Sequence, residues 1–514
     1  MTRTAALGNA AQLARRRAPW LALVLGALES LAFAPAAIAP LGILCVAALW
    51  WLWQGATPRR SALIGFAFGA GLYLAGTYWL YISIHVFGKA PLALALLLML
   101  GLVALMASYS AAVGWLVARF APASRLATLA ALYPAAWVLM EWFRGWFISG
   151  FPWLALGYSQ IDTPLAGYAP LVGVYGVSLA AALTAGLGLA LLVVRGGRML
   201  FAAGFLAALW IGGALLRPIA WTEPTAAPLS VALVQGAIPQ DLKWQEDNRA
   251  HTLEVYASLT QQAFGARLIV WPEAALPLLY EAAVPYLTGV FKDAQAHGSD
   301  LVLGLLRYDV EHDAYRNGLV ALGENEEWYY KRQLVPFGEF FPVPSFVREW
   351  MRLKSLAYVD LLAGPADQPA LDAGGQKLGA TICYEDAYAV EQLAVLRSAT
   401  LLVNVSNDAW FGDSSAPHQH LQIARMRALE AGRWLLRDTN NGISALIDPR
   451  GTVIARTRQF EPTVLHGTVV PYAGLTPYAM LRNWPVLAAC AVLLSATALR
   501  RRRHGDSRSA RATP

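Results

Sequence analysis

Charged residues are scarce in this chain: they make up 14% of its 514 residues, whereas hydrophobic residues make up 57%. Soluble domains are about a quarter charged, so the composition argues against a soluble protein. The mean hydropathy of +0.43 indicates a polytopic membrane protein. Cysteine is scarcer still, with three residues, of which Cys45 and Cys490 lie inside long apolar runs. Such a set gives neither a disulfide framework nor a zinc knuckle, and we expect no metal and no cofactor.

Positive charge is present but is not gathered on one surface. The formal net charge is +7, and the arginines cluster at the termini and in short loops between apolar runs. That distribution orients membrane helices and leaves no separate basic face, so we expect no nucleic-acid partner.

Eight apolar segments are predicted to span a membrane, because most reach the roughly 20 residues that cross about 30 Å of hydrocarbon. The first follows Arg15–Arg17 and imitates a signal peptide, but the next apolar segments come so soon that we interpret it as an uncleaved span. The eight lie near residues 18–35, 37–54, 62–86, 91–118, 125–143, 169–194, 199–216 and 483–499.

The loop charges predict how these spans are oriented. Arginines fall in alternate connections, on the same side as the two basic ends of the chain: Arg59, Arg60, Arg119, Arg125, Arg195 and Arg198, with Arg15–Arg17 and Arg500–Arg503. The positive-inside rule puts that side in the cytoplasm, and an even number of spans agrees with two cytoplasmic termini.

The stretch between the seventh and eighth spans has ordinary globular composition and is long enough for one domain with its own core. We therefore divide the chain into a membrane domain with seven spans over 1–217, a domain outside the cytoplasm over 218–474, a last span over 475–500 and a basic cytoplasmic tail over 501–514.

Strands and helices alternate in the 218–474 domain, which indicates a layered α/β fold. We predict strands at Leu229–Gln235, Arg267–Trp271, Asp300–Leu306, Lys377–Ile382, Thr400–Val405, Trp434–Asp438 and Ile443–Asp448, and helices over Asn248–Phe264, Ala282–His297 and Gln419–Arg433.

Polar side chains recur where strands end in this domain. Glu273 follows a predicted strand and a proline. Cys383 comes at the end of another predicted strand, and two carboxylates, Glu385 and Asp386, follow it after one residue. Because ligands bind outside the carboxyl ends of strands in α/β sheets, we expect these two residues to converge. Lys331 approaches a Pro/Gly turn that ends in Glu339.

These residue types together fit nucleophilic catalysis. A thiol near neutral pH needs a base to take its proton, which suits Glu273, and a fixed cation such as Lys331 stabilises the oxyanion formed on attack. Glu339 would hold the lysine ammonium. Taken singly, each acid or lysine is as well explained by a surface ion pair, and a lone cysteine by burial in a core.

Three motifs occur in order: Trp271-Pro272-Glu273, residues 331–339 (KRQLVPFGE) and Cys383-Tyr384-Glu385. They resemble the Glu-Lys-Cys motifs of the nitrilase, or carbon–nitrogen hydrolase, superfamily. Residues 234–240 (VQGAIPQ) with Lys243-Trp244, residues 404–412 (NVSNDAWFG), and the membrane motifs 141–145 (EWFRG) and 151–154 (FPWL) are similar to the apolipoprotein N-acyltransferase branch. So is the arrangement of seven spans before the catalytic domain and one after it.

The resemblance implies an α-β-β-α sandwich and a role for each matching residue. Glu273 would be the general base, Lys331 the oxyanion stabiliser and Cys383 the nucleophile. Tyr384 would form a pocket wall, and its backbone N–H could join the oxyanion hole. Glu339 and Glu385 would be supporting acids, and Trp244, Trp410 and Phe411 would line the acyl and lipid entrance. Apart from the resemblance, Asn407 could bind substrate, or it could satisfy a turn as asparagines at strand ends do. Ala237 stands where the family more often has Asn, which affects none of these roles.

The resemblance also implies a ping-pong reaction. Cys383 would take a fatty acyl chain from a phospholipid, expected to be phosphatidylethanolamine, and pass it to the α-amine of the S-diacylglyceryl N-terminal cysteine of an apolipoprotein. The enzyme would be a monomer of the bacterial inner membrane with a periplasmic catalytic domain.

Two other functions stay open. A membrane-tethered nitrilase-type amidase or hydrolase would use the same three residues with water as the acceptor. A transporter with a ligand-binding outer domain is the third hypothesis, and we expect the membrane half to lack the paired charges and broken helices that transport sites use. Glu29 and Glu141 lie in apolar segments and should face partners, headgroups or water. Glu141 with Arg144 could contact lipid headgroups or lie near the active-site mouth. His418-Gln419-His420 has no third metal ligand nearby and fits a polar loop entering a helix.

Overall fold

In this computed structural model the described residues are 17–122, 124–342, 346, 349 and 360–509, with only the backbone described over 499–509. The predicted basic ends of the chain therefore lie outside them, apart from Arg17 and the backbone of 500–503. The chain divides into two compact units, the first comprising Met1–Ile219, Ser414–Gln422 and Leu481–Pro514, the second Ala220–Asp413 and Ile423–Met480.

The first unit is helical, and each of the eight predicted spans falls on helix. Its long helices are α1 Ala18–Glu29, α2 Ala39–Trp53, α3 Pro58–Gly76, α4 Leu92–Phe120, α5 Tyr133–Arg144, α6 Ala169–Val193, α7 Gly197–Leu216 and a C-terminal helix Trp484–Ser509.

Only some of these helices are long and apolar enough to span a membrane. Among the described residues four segments are long and apolar enough, Leu92–Phe120, Arg125–Arg144, Pro164–Val193 and Gly197–Leu216. A fifth would be the pair Pro58–Gly76 and Trp79–Phe87, which bends by 55°, and three apolar helices are shorter. The helical membrane region is thus established, while the count of eight stays a prediction.

The bend after α3 overturns the expectation that the membrane half lacks broken helices. The carbonyl of Gly76 is not paired within the helix; it accepts a hydrogen bond from Gln419 Nε2 at 3.1 Å. Gln419 Oε1 in turn accepts from the indoles of Trp79 at 3.3 Å and Trp153 at 2.7 Å. A break in an apolar helix is tolerated when other protein groups satisfy the freed backbone, and this glutamine does so. Gln419 lies in the first turns of a helix, Ala416–Ala431, rather than in a loop before it.

The charges predicted in the membrane half have protein partners. Glu141 Oε1 accepts from Trp137 Nε1 at 2.9 Å and from the backbone of Leu156 at 3.0 Å. Arg144 Nη1 donates to the carbonyls of Phe151 and Trp153, both at 2.7 Å. Both charged residues are buried, so they organise the polypeptide after α5 from inside.

Helices α3 and α4 approach each other closely at a glycine. A Cβ added to Gly65 would lie 2.3 Å from the Ser110 carbonyl oxygen, so only glycine fits this contact. Small residues that let helix backbones meet are a main source of packing between helices in lipid, where burial of apolar surface gives no driving force.

The second unit is built on two six-stranded sheets. Its strands are β1 Glu223–Pro224, β2 Leu229–Gln235, β3 Leu268–Val270, β4 Asp300–Asp309, β5 Ala314–Leu322, β6 Glu326–Tyr330, β7 Leu371–Ala373, β8 Gln376–Ile382, β9 Leu401–Ser406, β10 Leu435–Thr439, β11 Ala445–Ile447, β12 Val453–Arg456, β13 Thr463–Val469 and β14 Tyr472–Ala473. One sheet has the order β13-β2-β3-β4-β5-β6, the other β12-β11-β10-β9-β8-β7, and β1 pairs with β14. The main helices are α8 Arg249–Gln262, α9 Tyr280–Ala296 and α10 Ala416–Ala431.

Alternation along the strands explains the layers. In β2, Val231 and Leu233 join a core between the two sheets, while Ala232 and Val234 face a second core shared with α8 and α9. Strand β2 therefore buries both faces, as the central strands of a layered sandwich do. Pairs β2–β3, β3–β4, β8–β9 and β9–β10 are parallel, which brings their carboxyl ends to common edges.

The predicted strands are all present, and that of β2 has the predicted bounds. The sequence reading missed β1, β5, β6, β7, β12, β13 and β14, each of which makes at least one antiparallel pair. Several of these strands carry half-exposed or polar positions, such as β13 with its intermediate and exposed residues, and so lack the continuous apolar run that marked the parallel ones.

Replacing Gly65 by valine should destabilise the protein by about 1–3 kcal/mol, because the new side chain meets the α4 backbone and cannot be accommodated without a shift. The measurement is thermal denaturation in detergent. Gly101→Val is the matched control, since a Cβ on Gly101 of α4 meets nothing within 4 Å. Equal melting temperatures for the two variants would contradict the close contact.

Candidate active site

Cys383 stands at the turn that ends β8. The strand stops at Ile382, and Cys383 begins a short 3₁₀ helix with a φ of 52°, in the left-handed region that non-glycine residues rarely adopt. Its carbonyl accepts from Asn404 Nδ2 at 3.3 Å. A strained residue at a strand-to-helix turn is typical of nucleophiles, because the turn lifts the side chain away from the sheet.

Glu273, Lys331 and Glu339 form one buried group. Lys331 Nζ lies 3.3 Å from Glu273 Oε1 and 2.7 Å from Glu339 Oε1, and its side chain is 1% exposed. Burial alone would lower the pKa of Lys331, but the charges of Glu273 and Glu339 outweigh it and hold that pKa well above its ordinary value. The lysine is therefore a permanent cation between two acids.

Two features of the backbone place Glu273 in this group. Glu273 follows Trp271 and Pro272, and the next residue, Ala274, has a φ of 44°, so the chain turns sharply after β3. The neighbouring strand β4 has Gly304 at this point, and only glycine fits there, because a Cβ would lie 2.6 Å from the Glu273 Cα. The sharp exit directs the carboxylate to the sheet edge.

Asn317 belongs to the same group and was missed by the sequence reading. Its Nδ2 donates to Glu273 Oε1 at 2.7 Å and to Glu339 Oε1 at 3.4 Å, and its backbone carbonyl accepts from the Lys331 N–H at 2.8 Å. The one signal in the sequence is a buried amide in the otherwise apolar second half of β5. Without β5 as a predicted strand, that signal had no structural context.

Glu385 connects the cysteine turn to the lysine segment. Its Oε2 accepts from the Ile382 N–H at 2.7 Å and from Tyr329 Oη at 3.0 Å, and its Oε1 accepts from the N–H groups of Arg332 at 2.6 Å and Gln333 at 3.2 Å. One carboxyl group thus fixes both the residue before Cys383 and the two residues after Lys331. Burial raises the pKa of Glu385 to about 7, although these donors oppose the shift.

Cys383 is a thiol at rest. Burial raises its pKa well above the ordinary value, the negative charge of Glu273 adds to this, and the positive charge of Lys331 opposes it. The charges of Glu273 and Lys331 both act on the Cys383 thiol, which indicates that the three side chains lie in one site. The raised pKa means that the thiolate forms only when a base removes the proton, and the role of Glu273 as that base stays a prediction.

The residues predicted to line a substrate entrance divide into two sets. Trp244 and Trp410 are 51% and 38% exposed, whereas Tyr384 packs edge-on against Tyr388 with ring centroids 5.1 Å apart. No hydrogen bond in the described part of the chain joins Trp244 or Trp410 to the Glu-Lys-Cys group. Their contact with lipid, and that of Phe411, stays a prediction.

Asn407 is placed to organise the site through its backbone. Its N–H donates to Glu273 Oε2 at 2.9 Å. Its side-chain amide donates to Gln240 Oε1 at 2.9 Å and accepts from Asn440 Nδ2 at 3.1 Å. Because protein partners occupy the amide, the structure gives Asn407 a fixed position beside Glu273, and substrate binding by it stays a prediction.

The raised pKa of Glu385 predicts a specific pH dependence. A pKa raised from 4.5 to about 7 by folding favours the protonated carboxyl in the folded state. That contribution is complete below pH about 4.5 and is lost as the pH rises through about 7, which amounts to about 3 kcal/mol at 1.4 kcal/mol per unit. The melting temperature of wild type relative to Glu385→Gln in detergent should therefore fall between pH 5 and pH 7.5.

Asp247→Asn, at an exposed acid before α8, is the control and should show no such change. A difference between wild type and Glu385→Gln that is constant or grows over this pH range would contradict the assignment.

Comparison with known proteins follows the division of the chain. The family model described as "Apolipoprotein N-acyltransferase N-terminal domain" matches residues 25–187, and that described as "Carbon-nitrogen hydrolase" matches residues 230–478. The second match covers the whole Glu-Lys-Cys group. Within the described residues no cluster of three or more histidine, cysteine or acidic side chains is arranged to hold a metal ion.

Full-length relatives agree. The chain is 46% identical over 490 residues to the apolipoprotein N-acyltransferase of Azotobacter vinelandii, covering 94% of this chain and 95% of the relative. It is 41% identical to that of Methylococcus capsulatus, covering 96% of this chain and 98% of the relative. A crystal structure of a CN-hydrolase superfamily protein from Xanthomonas campestris is 18% identical with a TM-score of 0.36, covering 51% of this chain and 97% of that one. The resemblance seen in the motifs is thus confirmed, and the chain belongs to the apolipoprotein N-acyltransferase family, an acyltransferase branch built on the carbon–nitrogen hydrolase domain.

Proposed function

We propose that this chain moves a fatty acyl chain from a membrane phospholipid to the α-amine of the S-diacylglyceryl N-terminal cysteine of an apolipoprotein, through a thioester on Cys383. The proposal would make it the last enzyme of lipoprotein maturation. The observation that carries the chemistry is the buried contact of Lys331 with Glu273, next to the strained turn that holds Cys383. The names of the full-length relatives support the choice of donor and acceptor.

The first half-reaction uses the three residues in turn. Glu273 takes the proton of Cys383 as the thiolate attacks an ester carbonyl of the phospholipid. Lys331, with the backbone N–H of Tyr384, stabilises the oxyanion. The C–O bond then breaks, Glu273 returns the proton to the leaving alkoxide, and a lysophospholipid departs from the thioester.

The second half-reaction reverses these roles. The acceptor's α-amine attacks the thioester carbonyl, Glu273 takes a proton from the attacking nitrogen, and the same oxyanion contacts apply. When the C–S bond breaks, Glu273 gives the proton to the sulfur and the amide leaves. Glu339 and Asn317 keep Lys331 and Glu273 in position throughout, because Glu339 accepts from Lys331 Nζ, while Asn317 donates to Glu273 and accepts from the Lys331 N–H.

Water must be excluded from the thioester if acyl transfer to the amine is to be faster than hydrolysis. The exposed aromatic side chains Trp244 and Trp410, with Phe411, would provide an apolar entrance that admits acyl chains and excludes water. The alternative is a nitrilase-type hydrolase with the same group. The full-length relatives are named as acyltransferases, so the alternative is not favoured.

The membrane setting is part of the proposal. We infer eight spans, both termini in the cytoplasm of a bacterial inner membrane, and a periplasmic catalytic domain acting as a monomer. The charge distribution of the loops and the helical content of all eight predicted segments support it. Phosphatidylethanolamine is the expected donor. Donor and acceptor both carry acyl chains, so an enzyme with its own apolar helices meets them where they reside.

The decisive test is mass spectrometry of the purified protein after incubation with phosphatidylethanolamine. We expect a fatty-acyl adduct on Cys383 that is absent in Cys383→Ser and is discharged when a diacylated lipopeptide with a free α-amine is added. The expected product is an N-acylated lipopeptide. An adduct that only water discharges would favour the hydrolase, and no adduct would contradict both enzymatic readings.

Orientation is tested separately with reporters fused after Pro514. A cytoplasmic reporter such as a fluorescent protein should be active there, and alkaline phosphatase, which needs export, should be inactive. The reverse pattern would require an odd number of spans and would overturn the proposed topology without affecting the chemistry.

A further inference from the structure

Strand β9 brings a polar side chain to the nucleophile that the proposed mechanism does not use. Strands β8 and β9 are parallel, with Ile382 opposite Val405, so the residues that follow, Cys383 and Ser406, come to the same edge of the sheet. Ser406 is 0% exposed. Its hydroxyl and the Cys383 sulfur are joined by a hydrogen bond.

The Ser406 hydroxyl has a second partner. Its Oγ donates to Asp408 Oδ1 at 2.9 Å. A hydroxyl has one hydrogen and two lone pairs, so while it donates to Asp408 it can only accept from the thiol. At rest the hydrogen bonds therefore run in one direction, from the Cys383 S–H to Ser406 and from Ser406 to Asp408.

Arg437 holds both ends of this network. Its Nη2 donates to Asp408 Oδ2 at 2.9 Å, and its Nη1 donates to Asn404 Oδ1 at 2.6 Å. Asn404 Nδ2 donates in turn to the Cys383 carbonyl at 3.3 Å. Because these side chains are all buried, the network fixes the Cys383 backbone and the partner of its sulfur together.

The charges around the sulfur show why a neutral donor matters. Burial and the negative charges of Glu273 and Asp408 raise the pKa of Cys383. The positive charge of Lys331 and the Ser406 hydroxyl lower that pKa. Lys331 is already engaged by two carboxylates, so much of its charge is balanced before a thiolate forms. A hydrogen bond donated to the charged form of the thiol is therefore needed in addition.

We propose that Ser406 is a further catalytic residue, whose hydroxyl accepts from the Cys383 thiol at rest and donates to the thiolate once the thiol proton has left. The Ser406 O–H bond stays intact. The hydroxyl turns about its Cβ–Oγ bond, so that its hydrogen bond to Asp408 is exchanged for one to the sulfur, and Asp408 keeps its ion pair with Arg437.

The same contact acts in both half-reactions. In the first, the thiolate that attacks the ester carries the charge, and in the second the charge returns to the sulfur as the C–S bond of the thioester breaks. A donor on the sulfur stabilises the charge in each case. The assignment rests on the proposed function in taking Cys383 as the nucleophile, and it is independent of which molecules donate and accept the acyl chain.

The resting hydrogen bond can be measured in the full-length protein in detergent without substrate. The infrared S–H stretching band of Cys383 is isolated as the difference between wild type and Cys383→Ser. An S–H group that donates a hydrogen bond absorbs at lower frequency than a free one, so Ser406→Ala should move this band to higher frequency. A band that does not move would overturn the assignment.

The thiolate is measured by alkylation with iodoacetamide, which reacts with the thiolate and not with the thiol. The rate at Cys383, followed by mass spectrometry of its peptide at pH 8, should fall about threefold to thirtyfold in Ser406→Ala, because the charged sulfur loses a donor. Thioester formation from phosphatidylethanolamine and discharge by a diacylated lipopeptide should both slow in the same variant. An alkylation rate within twofold of wild type would contradict the proposal.

Two further variants separate this role from a structural one. Ser299→Ala also removes a buried serine hydroxyl, which donates to the Ala266 carbonyl at 2.6 Å before β4, and it should leave the S–H band and the alkylation rate unchanged. Ser406→Thr keeps the hydroxyl and should alkylate within about threefold of wild type. An equal loss in Ser299→Ala, or the slow rate of Ser406→Ala in a threonine variant with the wild-type melting temperature, would overturn the assignment.

Failure of the proposed function looks different. Wild type would then form no acyl-enzyme, or the lipopeptide amine would not discharge it, while the S–H band and the alkylation rate would still report on the contact between Ser406 and Cys383.

Discussion

The contact of one buried lysine with two acids is the constraint on which the site depends. Lys331 is 1% exposed and lies between Glu273 and Glu339, at 3.3 and 2.7 Å. Removing Lys331 would leave two buried acids without their cation, which costs several kcal/mol. The geometry therefore requires rigid support, and the fold supplies it from β5, where Asn317 contacts both acids and the lysine backbone.

A further buried acid, Glu385, ties Cys383 to the same group. Glu385 accepts hydrogen bonds from the residue before Cys383 and from the two residues after Lys331. The strained φ of Cys383 can persist because these bonds determine the turn from both sides. Acid, lysine and thiol come from segments more than 50 residues apart in sequence, yet they are tied through a few buried hydrogen bonds.

The sequence predicts the strands and helices that have a local residue pattern. It does not predict the contacts between segments that lie far apart in the chain. The continuous apolar runs of β2 and β8, and the helices of the first unit, have strong local signals. Asn317 has only a weak local signal, because a polar residue in a strand acquires meaning only from what lies across from it. The break after α3 was missed for the same reason: Gln419, which satisfies the freed carbonyl of Gly76, lies some 340 residues away.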